Sequence, residues 1–223
     1  MKTFWLKHRG LLTYLLVMCT AVIVLRIFFI SIFTVEQNSM NNSYINGDRV
    51  LVYKQFGPVN RYDVVIVRHH GEFYIKRCIG LPGDRIQIAK GRVSIDGRLL
   101  DEFKRFAIKT NLDSIKKSQA YTPDFDIRDI YNAQWTVDDF GPLAIPAKNK
   151  PLHISSKQLV NYNYLNIANT SPVTDGQLDL TADRDYYFVM GDNREFSKDS
   201  RSFGLIRADE IIGKVGFVVW PQF

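Results

Sequence analysis

Arg49-Val-Leu-Val-Tyr-Lys54, Asp63-Val-Val-Ile-Val-Arg68 and Glu72-Phe-Tyr-Ile-Lys-Arg77 are three short runs of β-branched and aromatic residues, and their reading decides the fold. Such side chains suit a pleated, half-buried surface, so each run predicts a strand. Asn46-Gly47-Asp48, Gly57-Pro58 and His70-Gly71 punctuate them with residues that supply turn backbone angles. Ile86-Gln-Ile88 and Arg92-Val-Ser-Ile95 continue the pattern, and Asp96-Gly97 is a hairpin dipeptide. Gly213 to Trp220 is a further β-prone run. No long stretch beyond residue 35 repeats apolar residues at a 3.6-residue period. This part of the chain reads as mainly β.

Residues 101–182 differ. They are polar and aromatic, carry Pro123, Pro142, Pro146, Pro151 and Pro172, and lack strand alternation. A structureless loop of that length does not fit inside a compact domain. The segment is expected to be an inserted subdomain of irregular β structure, dividing a main β domain into 35–100 and 183–223.

Outward in the other direction, Leu11 to Phe33 contains one formal charge, Arg26. As a helix it would extend roughly 35 Å, enough to cross a hydrocarbon core of about 30 Å. Arg26 lies close enough to the distal end to snorkel. A transmembrane helix is therefore expected over 11–34, after a short cytoplasmic segment, 1–10. Lys2, Lys7 and Arg9 place the N-terminus in the cytoplasm by the positive-inside rule, and the rest outside it. A cleaved signal would have a shorter apolar core and a small-x-small site. Here the run leads into Thr34-Val-Glu-Gln-Asn-Ser-Met40, so a retained anchor is expected.

The net charge of +6 invites a nucleic-acid reading, but residues 1–35 hold four of the bases and no acid. The remainder is nearly balanced, which argues against a phosphate-binding surface. Two cysteines, Cys19 and Cys78, exclude a disulfide framework and a Cys-only zinc site. No metal and no cofactor are expected.

Three segments can carry chemistry. Ser39 follows the apolar run by six residues, at most about 20 Å of extended chain, so it lies near the membrane surface. Lys76 sits among Ile75, Cys78 and Ile79. Facing water it would be an ordinary strand lysine; facing inward it would lose charge by desolvation and become able to take a proton from a serine. Tyr186 to Gly204 runs from a strand into a dense polar loop, able to orient a lysine through a hydroxyl and to brace itself by an Asp–Arg pair.

Ser39-Met40 with Gly47-Asp48, Tyr74-Ile-Lys-Arg77 with Gly80-Leu-Pro-Gly-Asp84, and Gly191-Asp-Asn-Arg194 with Ser197-x-Asp-Ser-Arg201-x-x-Gly204 resemble, in order, the boxes of bacterial type I signal peptidases. The resemblance implies a β catalytic domain with a second β insertion. It implies Ser39 as nucleophile, Lys76 as general base and Ser197 as the hydroxyl that orients Lys76. Asp199 and Arg201 would form an ion pair behind them, with Asp192 and Arg194 as further support. The partners implied are a lipid bilayer, with a single pass through the cytoplasmic (inner) membrane, and preproteins whose signal peptides end in small residues at the first and third positions before the cut.

One box departs from the family pattern Pro-Ser-x-Ser-Met-x-Pro-Thr-Leu. This chain has Glu36-Gln-Asn-Ser-Met-Asn-Asn-Ser-Tyr44. Gln37 stands in place of a hydroxyl that helps bind the oxyanion; an amide N–H can donate there too. The altered box also supports a reading from another class, a non-catalytic membrane-anchored β module that binds extended peptides or partner proteins. Other signals are weaker. Ser114-Ile-Lys-Lys117 lacks the companion motifs of the penicillin-recognising enzymes, His69-His70 reads as a turn pair, and Cys78 as a small core residue.

Overall fold

The computed structural model describes residues 2–41, 43–54, 57–101, 127–131, 134–165, 169–173 and 176–222. Helix α1 spans Lys2–Phe28. Its segment His8–Phe28 has a mean hydropathy of 2.4, is long enough to cross a membrane, and is not buried by any of the described residues. The expected bounds of 11–34 are corrected at both ends. The helix begins earlier and stops at Phe28, and Ile30–Thr34 is a strand, β1. Apolar content alone cannot mark that boundary. Ile30-Ser-Ile-Phe-Thr34 is β-branched and alternating, and a partner strand is at hand, so its preference for the sheet prevails.

The runs read as strands follow in order: β2 (Arg49–Tyr53), β3 (Val64–His69), β4 (Glu72–Gly80), β5 (Arg85–Ala89) and β6 (Arg92–Ile95); beyond the Asp96-Gly97 turn comes a short strand not read from the sequence, β7 (Arg98–Leu99). From the second half come β8 (Phe140–Ala144), β9 (Pro151–Ser155), β10 (Asn169–Val173), β11 (Gln177–Thr181), β12 (Tyr186–Met190), β13 (Ile206–Arg207) and β14 (Ile211–Trp220). The largest sheet has seven strands in the order β1-β2-β14-β3-β4-β12-β13. A four-stranded sheet runs β7-β6-β5-β8, and a three-stranded one β10-β11-β9. The fold is mainly β, as read from the sequence.

The segment expected to be an insert is not walled off from what precedes it. β8, from within 101–182, pairs with β5 from before it, Arg85 opposite Ala144 and Ile86 opposite Leu143. Residues 102–126 of that segment lie outside the described residues. A single core spans this junction: Ile79, Ile86, Phe140, Ile145, Phe188 and Leu205 are all buried together. A smaller cluster of Val35, Met40, Val50, Val52, Ile66 and Ile75 fills the space beneath β1 and β4. Burial of these side chains at about 25 cal/mol per Å² makes both clusters rigid supports for whatever they carry.

Candidate active site

Two open strand edges face one another across a groove. β1 ends the seven-stranded sheet, paired with β2 alone. Residues 72–76 of β4 pair with β3, and β12 takes up the other edge only from Arg77 onward. Between them lies a cavity of about 660 Å³, lined by Phe33, Val35, Phe73 and Ile75, with Ser39 and Lys76 among its lining residues. Strand edges that no neighbouring strand covers are a template for an extended peptide.

Ser39 is held in the connection from β1 to β2. Val35 N–H donates to the Asp48 carbonyl (2.8 Å) and Gly47 N–H returns to Val35 (2.8 Å), closing the neck of that connection. The Asp48 carboxylate accepts from the amides of Ile45 (2.8 Å) and Gln222 (2.9 Å). Asn46 Oδ1 accepts from the Gln37 amide (3.0 Å), at a residue whose φ of 68° is left-handed. Met40, fully buried, pins the turn that follows the serine. From the other side Asn193 N–H donates to the Ser39 carbonyl (3.0 Å), and Asn193 Nδ2 to that of Asn38 (2.9 Å).

Lys76 lies opposite Val65 on β4 and is 2% exposed. Its Nζ is 2.7 Å from Ser39 Oγ and donates to the Ile75 carbonyl at 2.9 Å. Burial is the largest influence on this amine and lowers its pKa to about 8, against upward pulls from Asp199 and Asp192 and a further push down from Arg201. When neutral, the amine has a lone pair for the Ser39 hydroxyl proton while one N–H stays on Ile75 O. The arrangement can therefore convert the hydroxyl to a nucleophile without a histidine.

The loop after β12 approaches so closely that residue 191 must be glycine. A Cβ there would stand 2.3 Å from Ser197 Oγ and 2.5 Å from the Ser39 carbonyl oxygen. Asp199 and Arg201 form a buried two-pronged ion pair, Nε to Oδ1 and Nη2 to Oδ2, both 2.9 Å. Burial pushes the Asp199 carboxyl up, but the Arg201 charge and hydrogen bonds hold it below the usual range. Arg201 also donates to the Arg194 carbonyl (2.7 Å), and Arg194 Nε to that of Gly191 (3.0 Å).

Ser197 requires a correction. Its hydroxyl is buried against Gly191, but the expected bond to Lys76 is not formed; Lys76 is oriented by the Ile75 carbonyl instead. Gln37 is exposed on the groove wall, and its side chain makes no hydrogen bond to Ser39. Asp192 is paired not with a residue of its own loop but with Arg77, at 2.8 Å to Nε and 2.6 Å to Nη2. Ser43 joins them, donating to Asp192 Oδ2 at 2.5 Å. Arg77 and Ser43 were missed in the sequence. Ser43 occupies the threonine position of the family's Pro-Thr-Leu, so the hydroxyl is retained although the motif is not, and that offset was the available signal.

An antiparallel sheet carrying a buried serine–lysine contact at the foot of an extended groove has the layout of a serine peptidase. Residues 8–220 match the family described as signal peptidase, peptidase S26, and the chain belongs to that family. Signal peptidase IB of Staphylococcus aureus is 28% identical over 221 residues, covering 96% of this chain and 91% of that one. Signal peptidase I of Bacillus caldolyticus is 28% identical over 204 residues, covering 90% and 85%. A crystal structure of a signal peptidase I from Enterococcus faecalis aligns with 73% of this chain and all of its own, at 21% identity and a TM-score of 0.35.

Proposed function

We propose that Ser39 and Lys76 are the nucleophile and general base of a membrane-anchored endopeptidase that removes signal peptides from exported preproteins. The observation that carries this is the 2.7 Å approach of a buried lysine amine to a serine hydroxyl. Neutral Lys76 takes the Ser39 proton as Oγ attacks the scissile carbonyl. The protonated amine then gives that proton to the leaving amine, and an acyl-enzyme remains. Lys76, neutral again, activates the water that releases the signal peptide.

The peptide lies extended between β1 and β4, with alternate side chains directed into the groove. Phe33, Val35, Ile66 and Ile75 crowd that floor, which favours small residues at the first and third positions before the cut. The Ser39 amide is one oxyanion donor, and the Gln37 side-chain amide swings in as the other. Asp192 and Arg77 brace the turn behind the nucleophile through Ser43.

α1 crosses the cytoplasmic membrane with residue 1 inside and the β domain outside. Phe29 and Ile32 stay exposed at and just beyond the helix end, and Phe217 and Trp220 on β14 towards the Arg49 end of the sheet, apolar surface that suits contact with the bilayer. A preprotein held in the same bilayer presents its cleavage site at this level, so anchoring supplies proximity. Ser39→Ala and Lys76→Ala should each reduce preprotein cleavage by 10³-fold or more with folding retained. Cleavage by Ser39→Ala at the parent rate removes the assignment.

A further inference from the structure

A soluble domain on a flexible linker is free to tilt on its membrane anchor. The junction here is built differently. Phe29 alone separates α1 from β1, and β1 enters the sheet at once, from Ile30 opposite Tyr53 to Thr34 opposite Arg49. Lys54, directly after β2, closes the junction in two ways. Its backbone N–H donates to the Phe29 carbonyl (2.9 Å). Its Nζ donates to the carbonyls of Ile27 (2.8 Å) and Arg26 (3.2 Å) in the last turn of the helix. The final carbonyls of a helix have no partner within it, and its C-terminus is the negative end of the dipole. An ammonium group there satisfies both conditions, so three hydrogen bonds from one residue cross the joint between anchor and sheet.

We infer that Lys54 is a positioning residue that holds the β domain at a fixed tilt on its membrane helix, and thereby sets the height at which Ser39 meets a membrane-embedded substrate. The mount itself stands on the junction geometry; its consequence for cleavage rests on the function proposed above. β1 alone extends about 17 Å from the joint, so the far end of the groove, where the chain leaves β1 towards Ser39, lies roughly 20 Å away. A 20° swing about Phe29 would move that point by about 7 Å, the length of two extended residues. A substrate whose helix shares the bilayer feels that displacement. A short soluble peptide does not.

The test uses the full chain in nanodiscs. Cys19 is exposed on α1 and Cys78 is buried, so a spin label on Cys19 and another on Gln87→Cys, at an exposed position of β5, report the angle of domain to anchor. Pulsed EPR should give one narrow distance distribution for Lys54, a width at least about twofold greater for Lys54→Met, and recovery of the narrow distribution for Lys54→Arg. A broad distribution with Lys54 in place, or an equally narrow one for Lys54→Met, overturns the mount. In a ladder of preproteins whose helix-to-cut spacing changes by one residue, the parent should show a sharp optimum that Lys54→Met flattens and Lys54→Arg restores. Over the same series kcat/KM on a short soluble peptide should stay within about twofold. An optimum equally sharp in Lys54→Met overturns the positioning role. A parent that cuts no preprotein removes the proposed function, and the EPR widths still decide the mount.

Discussion

The reaction proposed here should follow the ionisation of Lys76, and the structure sets where. With the amine at about 8, roughly one molecule in eleven carries neutral Lys76 at pH 7, and about ten in eleven at pH 9. An unperturbed lysine near 10.4 would be neutral in only about one molecule in 2,500 at pH 7. Burial therefore enriches the reactive form by two to three orders of magnitude. Below pH 7 the logarithm of kcat/KM should rise with unit slope, bend near 8 and level off by about pH 9. The same burial leaves a mark on stability. The folded pKa lies below the unfolded one, so the unfolded chain binds the extra proton between about pH 8 and 10.4, and stability must rise with pH across that window. The full shift corresponds to about 3 kcal/mol, a cost present at pH 7 and relieved by pH 10.4. Replacing Lys76 with Met should abolish cleavage and stabilise the fold at pH 7, with the gap between the two proteins closing as pH rises. The assays are initial rates on a short peptide from pH 6 to 10 and urea unfolding at pH 7 and 10. A rate that is flat across pH 7 to 9, or a Lys76→Met protein less stable at pH 7 than the parent, refutes the reasoning.

Two further changes examine the surroundings of the pair. Gln37→Ala should lower kcat by about 10- to 100-fold with little change in KM or in unfolding midpoint, because an oxyanion donor acts chiefly in the transition state; an unchanged kcat removes Gln37 from that role. Gly191→Ala should reduce cleavage at least about 100-fold and destabilise the fold by about 1–3 kcal/mol, since the new methyl meets both Ser197 Oγ and the Ser39 carbonyl; parallel kinetics and calorimetry check both.

What the sequence disclosed and what it withheld divide along physical lines. β2, β3 and β4 were legible because β-branched runs bounded by turn residues have few other solutions. The end of α1 was not, because Ile30–Thr34 is as apolar as the helix before it and becomes a strand only through its pairing with β2. Ser39 and Lys76 stand 37 residues apart, and no periodicity links them; their meeting was implied by the boxes they resemble. Arg77 went unread for a different reason. Alternation along a strand sends neighbours to opposite faces, so an inward Lys76 argues for an outward Arg77. In β4 every residue from Ile75 to Gly80 is buried, since the Val65–Phe203 cluster fills one face and the Val35–Ile75 cluster, together with the loop after β12, covers the face that Ile75 and Arg77 share. Arg77 points into that cover and finds Asp192 there. The partner on a distant loop is what permits a second buried cation beside the first.

That pairing also weighs between the enzyme and the non-catalytic β module. A module that only holds extended peptides needs the groove and its two open strand edges, and neutral side chains along the floor would serve it at lower cost. It has no use for an amine kept dry at about 3 kcal/mol. Nor does it need Asn193 bonded to the carbonyls of Asn38 and Ser39, which fixes one hydroxyl rather than the groove. The support extends further back: Tyr131, from the segment between β7 and β8, donates to the Ser200 carbonyl at 2.8 Å, and Tyr164 Oη accepts from the Leu205 amide at 3.1 Å. These bonds grip both ends of the turn that carries Arg201, so the residues just before β8 and those between β9 and β10 act on the loop of Asp199 and Gly191. Precision concentrated on one oxygen and one nitrogen, at a price in stability, is the signature of bond-making chemistry.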